Sequence, residues 1–266
     1  MYEGFFEMKH TPFVNSIPVE RLYLSEKHKE ILGRLSFVAE GNRFAVLTAS
    51  VGVGKSTLIR KLAHSLNPEK YTVLYLADSQ LTPRWFYKGL LDQLGIEAKF
   101  YRGDARRQLH KQLRIIREIH RRNIVVVVDE AHLLDRETLE EIRFVLNTDM
   151  DSSSPMGLIL VAQNELWDKL RMQQYAAIRG RIDIKCELPG MDRAELEAYV
   201  RAHLSYAGGK DEIFTDSALD ELHKYSVGSA RAANKAATHC LMCAAQRAKK
   251  LIDDTMVKTV IEAELP

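Results

Sequence analysis

The stretch Ala49-Ser50-Val51-Gly52-Val53-Gly54-Lys55-Ser56-Thr57 constrains this chain more than any other feature. It follows a strand-like apolar run, Phe44–Thr48, and opens a helix-like segment, Lys55–Leu66, with Leu58, Ile59 and Leu62 on one face. A glycine-rich turn ending in Gly-Lys-Ser in that setting aims backbone N–H groups at a helix N-terminus, where phosphate is favoured. Gly52 and Gly54 let the backbone approach the ligand and adopt left-handed dihedrals. Ser50, Val51, Val53 and Thr57 complete the expected cradle. Lys55 is assigned to the β- and γ-phosphates and the Ser56 hydroxyl to Mg²⁺. Ala49 departs from the usual G-x-x-x-x-G-K-[ST] pattern. If that position demands positive φ, alanine costs on the order of 1 kcal/mol.

A second motif, Ile124-Val-Val-Val-Val128-Asp129-Glu130-Ala131-His132, stands downstream in the right order. Its β-branched run reads as a parallel strand covered on both faces. Two acids at a strand end are costly unless a cation or a polar network compensates them. Asp129 is assigned to hold Mg²⁺ through water, and Glu130 to polarise the attacking water as general base. ATP and Mg²⁺ are the implied cofactors.

Strands at Phe44–Thr48, Thr72–Leu76, Ile124–Val128, Leu158–Ala162 and Ile182–Leu188, the last nearer an edge, alternate with helices. The helices include one begun by Pro83, a basic one over Arg106–Arg122 and one over Arg136–Asn147. This order predicts an α/β fold, a parallel five-stranded sheet sandwiched by helices. After Pro189-Gly190 only helical patterns follow: Arg193–Tyr206, Asp216–Tyr225, Ala230–Lys250 and Thr255–Glu264. The expected organisation is an aromatic lead-in and helix (1–40), an α/β ATPase domain (41–188) and an all-helical lid (189–266).

Neither a membrane-spanning run nor a secretory leader is legible, so a cytoplasmic location without membrane contact is expected. Cys186, Cys240 and Cys243 are too few for a disulfide framework. Cys240 and Cys243 have metal-ligand spacing, but lack a second pair and lie in an Ala-rich helical pattern; buried thiols are expected. A net charge of +2 names no partner. Its distribution says more, because Arg84, Lys88, Arg106, Arg107, Lys111 and Arg114 crowd two consecutive helices, with Trp85 among them. Arg107, Lys111, Arg114 and Arg121 fall near one helix face. Such a concentration suits a polyanion, read through phosphates, although a solvated face or a subunit interface has the same composition.

The order of these motifs resembles the P-loop AAA+ ATPases. In that family the polar residue after the fourth strand senses the γ-phosphate, a place matched by Gln163, with Asn164 second. An arginine before the last strand acts on the neighbouring subunit's nucleotide, a place matched by Arg181, with Arg179 in reserve. Gly228-Ser-Ala-Arg231 resembles the lid's second sensor, which implies a nucleotide contact for Arg231. By the same resemblance Pro12, Phe13, Tyr23 and His28 flank the adenine, although core packing explains them equally. The opening Met1–Phe13, the phrase Leu22-Tyr-Leu-Ser25 with His28, the run Val128–Leu134 and Val161-Ala-Gln-Asn-Glu-Leu166 look like the ExeA/GspA-type ATPases. Ala162 and Asn164 depart from the usual phrase. A chain ending directly after the lid is expected to be the short, transposase-associated form, similar in role to IstB, TnsC and MuB. The resemblance then implies a homo-oligomer, ring or helical filament, on double-stranded DNA, bound largely without sequence preference. It would regulate transposition by recruiting or activating a DDE transposase. The alternatives are a secretion-associated ATPase module, a helicase-loader type protein and a scaffold that uses ATP only to assemble.

Overall fold

The computed structural model describes residues 2–78, 81–147, 154–209 and 211–265. Contacts divide the chain into two units: His28–Ala49 with Lys55–Leu188, and Met1–Lys27 with Ser50–Gly54 and Pro189–Pro266.

The first holds a five-stranded sheet: β1 (Phe44–Thr48), β2 (Tyr71–Leu76), β3 (Asn123–Val128), β4 (Gly157–Ala162) and β5 (Ile184–Glu187). The order is β2-β3-β4-β1-β5, and every pairing is parallel. Every residue of β1 and β4 is buried, because both faces of the sheet are covered. Phe44, Val46, Leu74, Ile124, Val126, Leu158 and Leu160 contribute one face to the main core. The connecting helices are α3 (Lys55–Ser65), α4 (Pro83–Gln93), α5 (Arg102–Glu118), α6 (Arg136–Val145), α7 (Glu165–Arg171) and α8 (Ala176–Arg179). Helix α2 (Glu26–Gly41) precedes β1. Thr82 caps α4 through the Trp85 amide with Pro83 at its first position, and Asp135 caps α6 through the Thr138 amide.

The basic helix differs from its expected span. It begins at Arg102 rather than Arg106 and ends at Glu118 rather than Arg122, since the chain turns through a left-handed Arg121 (φ 53°) to enter β3. Arg121 therefore leaves the helical face assigned to it by periodicity.

The second unit is helical: α1 (Tyr2–Phe5), α9 (Arg193–Ala207), α10 (Asp216–Ser226), α11 (Ala230–Gln246) and α12 (Asp254–Glu264). Asp192 and Glu195 form a reciprocal capping box at α9. Tyr2, Phe6 and Phe13 from the lead-in share a core with Leu196, Leu204, Leu222 and Leu241. Cys186, Cys240 and Cys243 are free and buried, and burial pushes the Cys240 thiol up to about 12.

Candidate nucleotide site

The strand register gathers the site residues. Thr48 pairs with Ala162 across β1 and β4, and Val128 pairs with Leu160 across β3 and β4. The residues that follow these strands, Ala49, Gln163 and Asp129, therefore leave from one edge of the sheet, with β4 between its two neighbours. In open parallel sheets this carboxyl edge is where ligands bind.

Ala49 is fully buried and is not among the described residues with positive φ, so its side chain imposes no left-handed strain. Gly52 (φ 76°) and Gly54 (φ 123°) do adopt positive φ. Lys55 opens α3; it is buried, and its Nζ donates to the Ala49 carbonyl at 2.9 Å across the base of the loop. Ser56 lies exposed in the first turn, with Thr57 half-buried beside it.

The loop residues Ser50–Gly54 pack within the helical unit. The Arg231 amide donates to the Gly52 carbonyl at 3.0 Å, and the Ser229 hydroxyl reaches the Val51 carbonyl at 3.5 Å. A Cβ on Gly52 would stand 2.5 Å from Ser229 Oγ and 2.9 Å from Arg231 Cβ, so glycine is required by space as well as by φ. Ser229 also caps α11 through the Ala232 amide. Val51 is exposed, whereas Val53 is buried.

Asp129 is 5% exposed. Its Oδ2 accepts from the Tyr75 hydroxyl at 2.6 Å, and its Oδ1 accepts from the Glu130 amide at 2.8 Å. Burial, then the bond to Asp129, raises the Tyr75 phenol well above its ordinary range, so it stays a proton donor. Glu130 turns the chain in the left-handed region (φ 53°, ψ 32°) and leaves its carboxylate 47% exposed. The short 3₁₀ turn Ala131–Leu133 then places His132 with Nε2 3.1 Å from Gln163 Nε2 and Nδ1 3.5 Å from Glu130 Oε2. Periodicity could not single out Tyr75 or His132. Tyr75 reads as an ordinary β2 residue, and His132 as the tail of an acidic motif.

The donor set suits Mg²⁺. This hard cation takes one or two protein oxygens and completes its shell with water and phosphate. A buried carboxylate whose oxygens are oriented by Tyr75 and a backbone amide has the chemistry such a ligand would need. Among the described residues there is no group of three or more His, Cys, Asp or Glu side chains arranged to hold a metal.

The two arginines near β5 are placed differently. Arg179 donates to the Leu170 and Arg171 carbonyls and so closes α7. Arg181 lines a polar cleft of about 560 Å³ with Arg43, Arg117 and Asp183, at the end of the sheet where β1 and β5 begin. Asn164 is exposed at the start of α7.

The basic helices are also sorted by geometry. Arg106 is half-buried, 3.8 Å from the buried Glu141, which also accepts from Tyr87. Arg107 pairs with Asp104 at 2.6 Å, and Arg114 lies 3.8 Å from Glu118. Lys111 is exposed. Arg84 lies over the Phe100 ring and Lys88 over the Trp85 ring, at 4.4 and 4.5 Å. Trp85, Phe100 and Tyr101 are themselves at least half exposed.

Of the lead-in aromatics, Phe13 stacks on His203 and Tyr23 meets Tyr199 edge-on; Pro12 and His28 are buried.

Residues 38–170 match the family model described as an AAA domain. The chain is 33% identical over 254 residues to General secretion pathway protein A of Aeromonas hydrophila, covering 93% of this chain and 45% of that protein. It thus spans less than half the length of this relative. The ORC2 protein of Aeropyrum pernix, solved as ADPNP–ADP complexes, superposes with a TM-score of 0.66 at 17% identity, over 97% of this chain and 71% of that one. The ORC1 protein of Aeropyrum pernix in complex with DNA gives 0.66 at 13% identity, over 94% and 68%.

Proposed function

Because this chain belongs to the AAA family of P-loop ATPases, we propose that it hydrolyses ATP with Mg²⁺ as an oligomer on duplex DNA and regulates DNA transposition by recruiting or activating a transposase. The observation that carries the hydrolytic half is the Asp129–Glu130 pair: one acid buried and oriented by Tyr75, the next turned outward through a left-handed residue. Under this reading Ser50–Thr57 cradle the phosphates and Lys55 leaves the Ala49 carbonyl for phosphate oxygen. Ser56 and Asp129 hold Mg²⁺, which supplies charge neutralisation on the phosphates. Glu130 takes the proton of the attacking water, and Gln163 and Arg231 contact the nucleotide. Arg181 serves a neighbouring subunit; Arg179 is engaged in closing α7.

The DNA half rests on charge and exposure. Arg84, Lys88, Arg107, Lys111 and Arg114 present cations along α4 and α5, whereas Arg106 is held by Glu141. Contacts of this kind read phosphate rather than sequence and weaken with salt. That the fold relative from Aeropyrum pernix was solved with DNA agrees with this reading. The transposase partner rests on the resemblance to the ExeA/GspA-type ATPases, whose module is shared by a transposase-associated form and a secretion-associated one.

A second reading, an ATPase module of a secretion pathway, is favoured by the 33% identity to the Aeromonas hydrophila protein. No helix of the described residues is long and apolar enough to cross a membrane. Turnover with Mg·ATP, with and without duplex DNA, tests the proposal, followed by electron microscopy of the same mixture. Stimulated turnover with ordered assemblies on DNA is expected. Absence of nucleotide affinity in magnesium overturns the hydrolytic reading, and turnover indifferent to DNA overturns the DNA reading in favour of the secretion one.

A further inference from the structure

We propose that His132 is a positioning residue that links Gln163 to Glu130, so that the amide facing the nucleotide's terminal phosphate orients the general base. The inference rests on the hydrolytic reading above and goes beyond it, because no role follows for this histidine from the phosphate cradle or the metal ligands.

The geometry sets the direction of the link. The Gln163 Nε2 atom is an amide nitrogen and only donates, so the His132 Nε2 atom 3.1 Å away must accept. A neutral imidazole that accepts at Nε2 carries its proton on Nδ1. That nitrogen lies 3.5 Å from Glu130 Oε2. Nδ1 is buried and has no hydrogen-bond partner. A buried polar atom left without a partner is unfavourable and calls for an explanation. Here a carboxylate already stands beside it, on a residue held in the left-handed region. A small rotation of the ring closes the N–H on Glu130 Oε2 and satisfies both groups.

The fold makes the link responsive. Gln163 follows β4, and His132 follows β3 on its short turn, so the ring bridges two neighbouring strand ends. The Gln163 amide has two hydrogens, one for His132 and one for a phosphate oxygen. When phosphate draws the amide, the imidazole follows, and Nδ1–H fixes the carboxylate that receives the proton of water. No covalent step is added; the link changes only how often Glu130 is aimed correctly.

A merely structural tie between the turn and β4 makes the opposite prediction for two variants. His132→Asn keeps a donor at the δ position, facing Glu130, and gives up the reach to Gln163. His132→Gln keeps the reach to Gln163 and removes the δ donor. Under the proposal His132→Ala lowers kcat by roughly 10- to 100-fold, the scale of a mis-aimed catalytic group. KM and Mg·ATP affinity stay within about twofold, since binding depends on other groups. His132→Asn recovers several-fold of the lost kcat, and His132→Gln does not. In a Glu130→Gln background the alanine substitution has no further effect on single-turnover hydrolysis, because the group it positions is gone.

Recovery by His132→Gln and not by His132→Asn makes the residue a structural tie and overturns the proposal. So does a kcat within twofold of the parent for His132→Ala. Should His132→Ala fail to fold, the comparison of the Asn and Gln variants decides alone. If the parent protein binds Mg·ATP but does not hydrolyse it, the hydrolytic reading and the link fall together. If the parent hydrolyses ATP and the variants match it, only the link falls.

Discussion

The sheet unit and the helical unit use their buried polar groups in opposite ways. In the sheet unit, Asp129 is buried at the end of β3 with both oxygens held, Glu130 beside it faces outward, and His132 keeps a ring nitrogen without a partner. In the helical unit His203 is buried with its Nδ1 accepting from the Phe13 amide at 3.1 Å. It stacks on Phe13 and tilts against Tyr199. Burial lowers its pKa to about 4 and raises that of Tyr199 to about 12. Each unit sets a histidine among polar neighbours, His203 buried and His132 half-buried with a buried Nδ1. In His203 the Nδ1 atom is engaged by a backbone amide; in His132 the Nδ1 atom is left beside a carboxylate. The contrast separates a scaffold group from a group placed for chemistry better than burial alone does.

The strongest test of this contrast is Lys55→Ala. Loss of the cation at the loop base is expected to abolish detectable ATP binding by titration calorimetry, and near-parental affinity breaks the assignment of the loop. Next in size is Arg181→Ala, expected to lower turnover of the assembled protein by roughly 10³-fold, the low end for trans-acting arginines. Turnover of dilute monomer stays at its own basal level; an equal loss in monomer removes the trans role. Glu130→Gln is expected to cut steady-state hydrolysis by roughly 10²-fold or more while retaining ATP binding. ATP-loaded assemblies then accumulate on DNA in sedimentation, and parental turnover would deny Glu130 its role.

Replacing Arg107, Lys111 and Arg114 with alanine is expected to weaken duplex binding, with the slope of log affinity against log salt falling by about one for each phosphate-facing cation removed. An unchanged slope moves the DNA surface elsewhere. The smallest expected effect on activity comes from His203→Asn, which sharpens the contrast through stability. The folded pKa of His203, about 4, lies below its unfolded value, so the unfolded chain binds more protons between them. The neutral ring's stabilisation is complete above roughly pH 6.5 and is lost as pH falls toward 4, on the order of 3 kcal/mol in all. Asparagine keeps an acceptor for Phe13 without titrating. Melting curves of the variant are expected to lose part of the parent's pH dependence over that window and to leave ATP turnover unchanged; parallel curves would place the acid sensitivity in other groups.

Much of the fold was legible from local pattern. Phe44–Thr48 and Leu158–Ala162 stand as strands almost residue for residue, because continuous apolar runs bounded by loop chemistry admit few alternatives. The basic helix was misplaced by about a turn, because its start at Arg102 has no side-chain cap to announce it. The concentration of basic residues also grouped Arg106 with the DNA-facing cations. Glu141, on a helix distant in sequence, stands 3.8 Å from it, and that pairing has no local signature.

The loop motif and the acidic strand end were legible in the sequence alone, because a glycine-rich turn opening a helix and an apolar run closed by two acids are particular residue types at short, fixed spacing. Tertiary structure decided the rest. It set Tyr75 on Asp129 and His132 between Gln163 and Glu130, and it gave Arg179 to the end of α7 while leaving Arg181 at the cleft. Those relations join strands and helices far apart in the chain. They exist only once the parallel register has brought the strand ends side by side, a step that no local periodicity encodes.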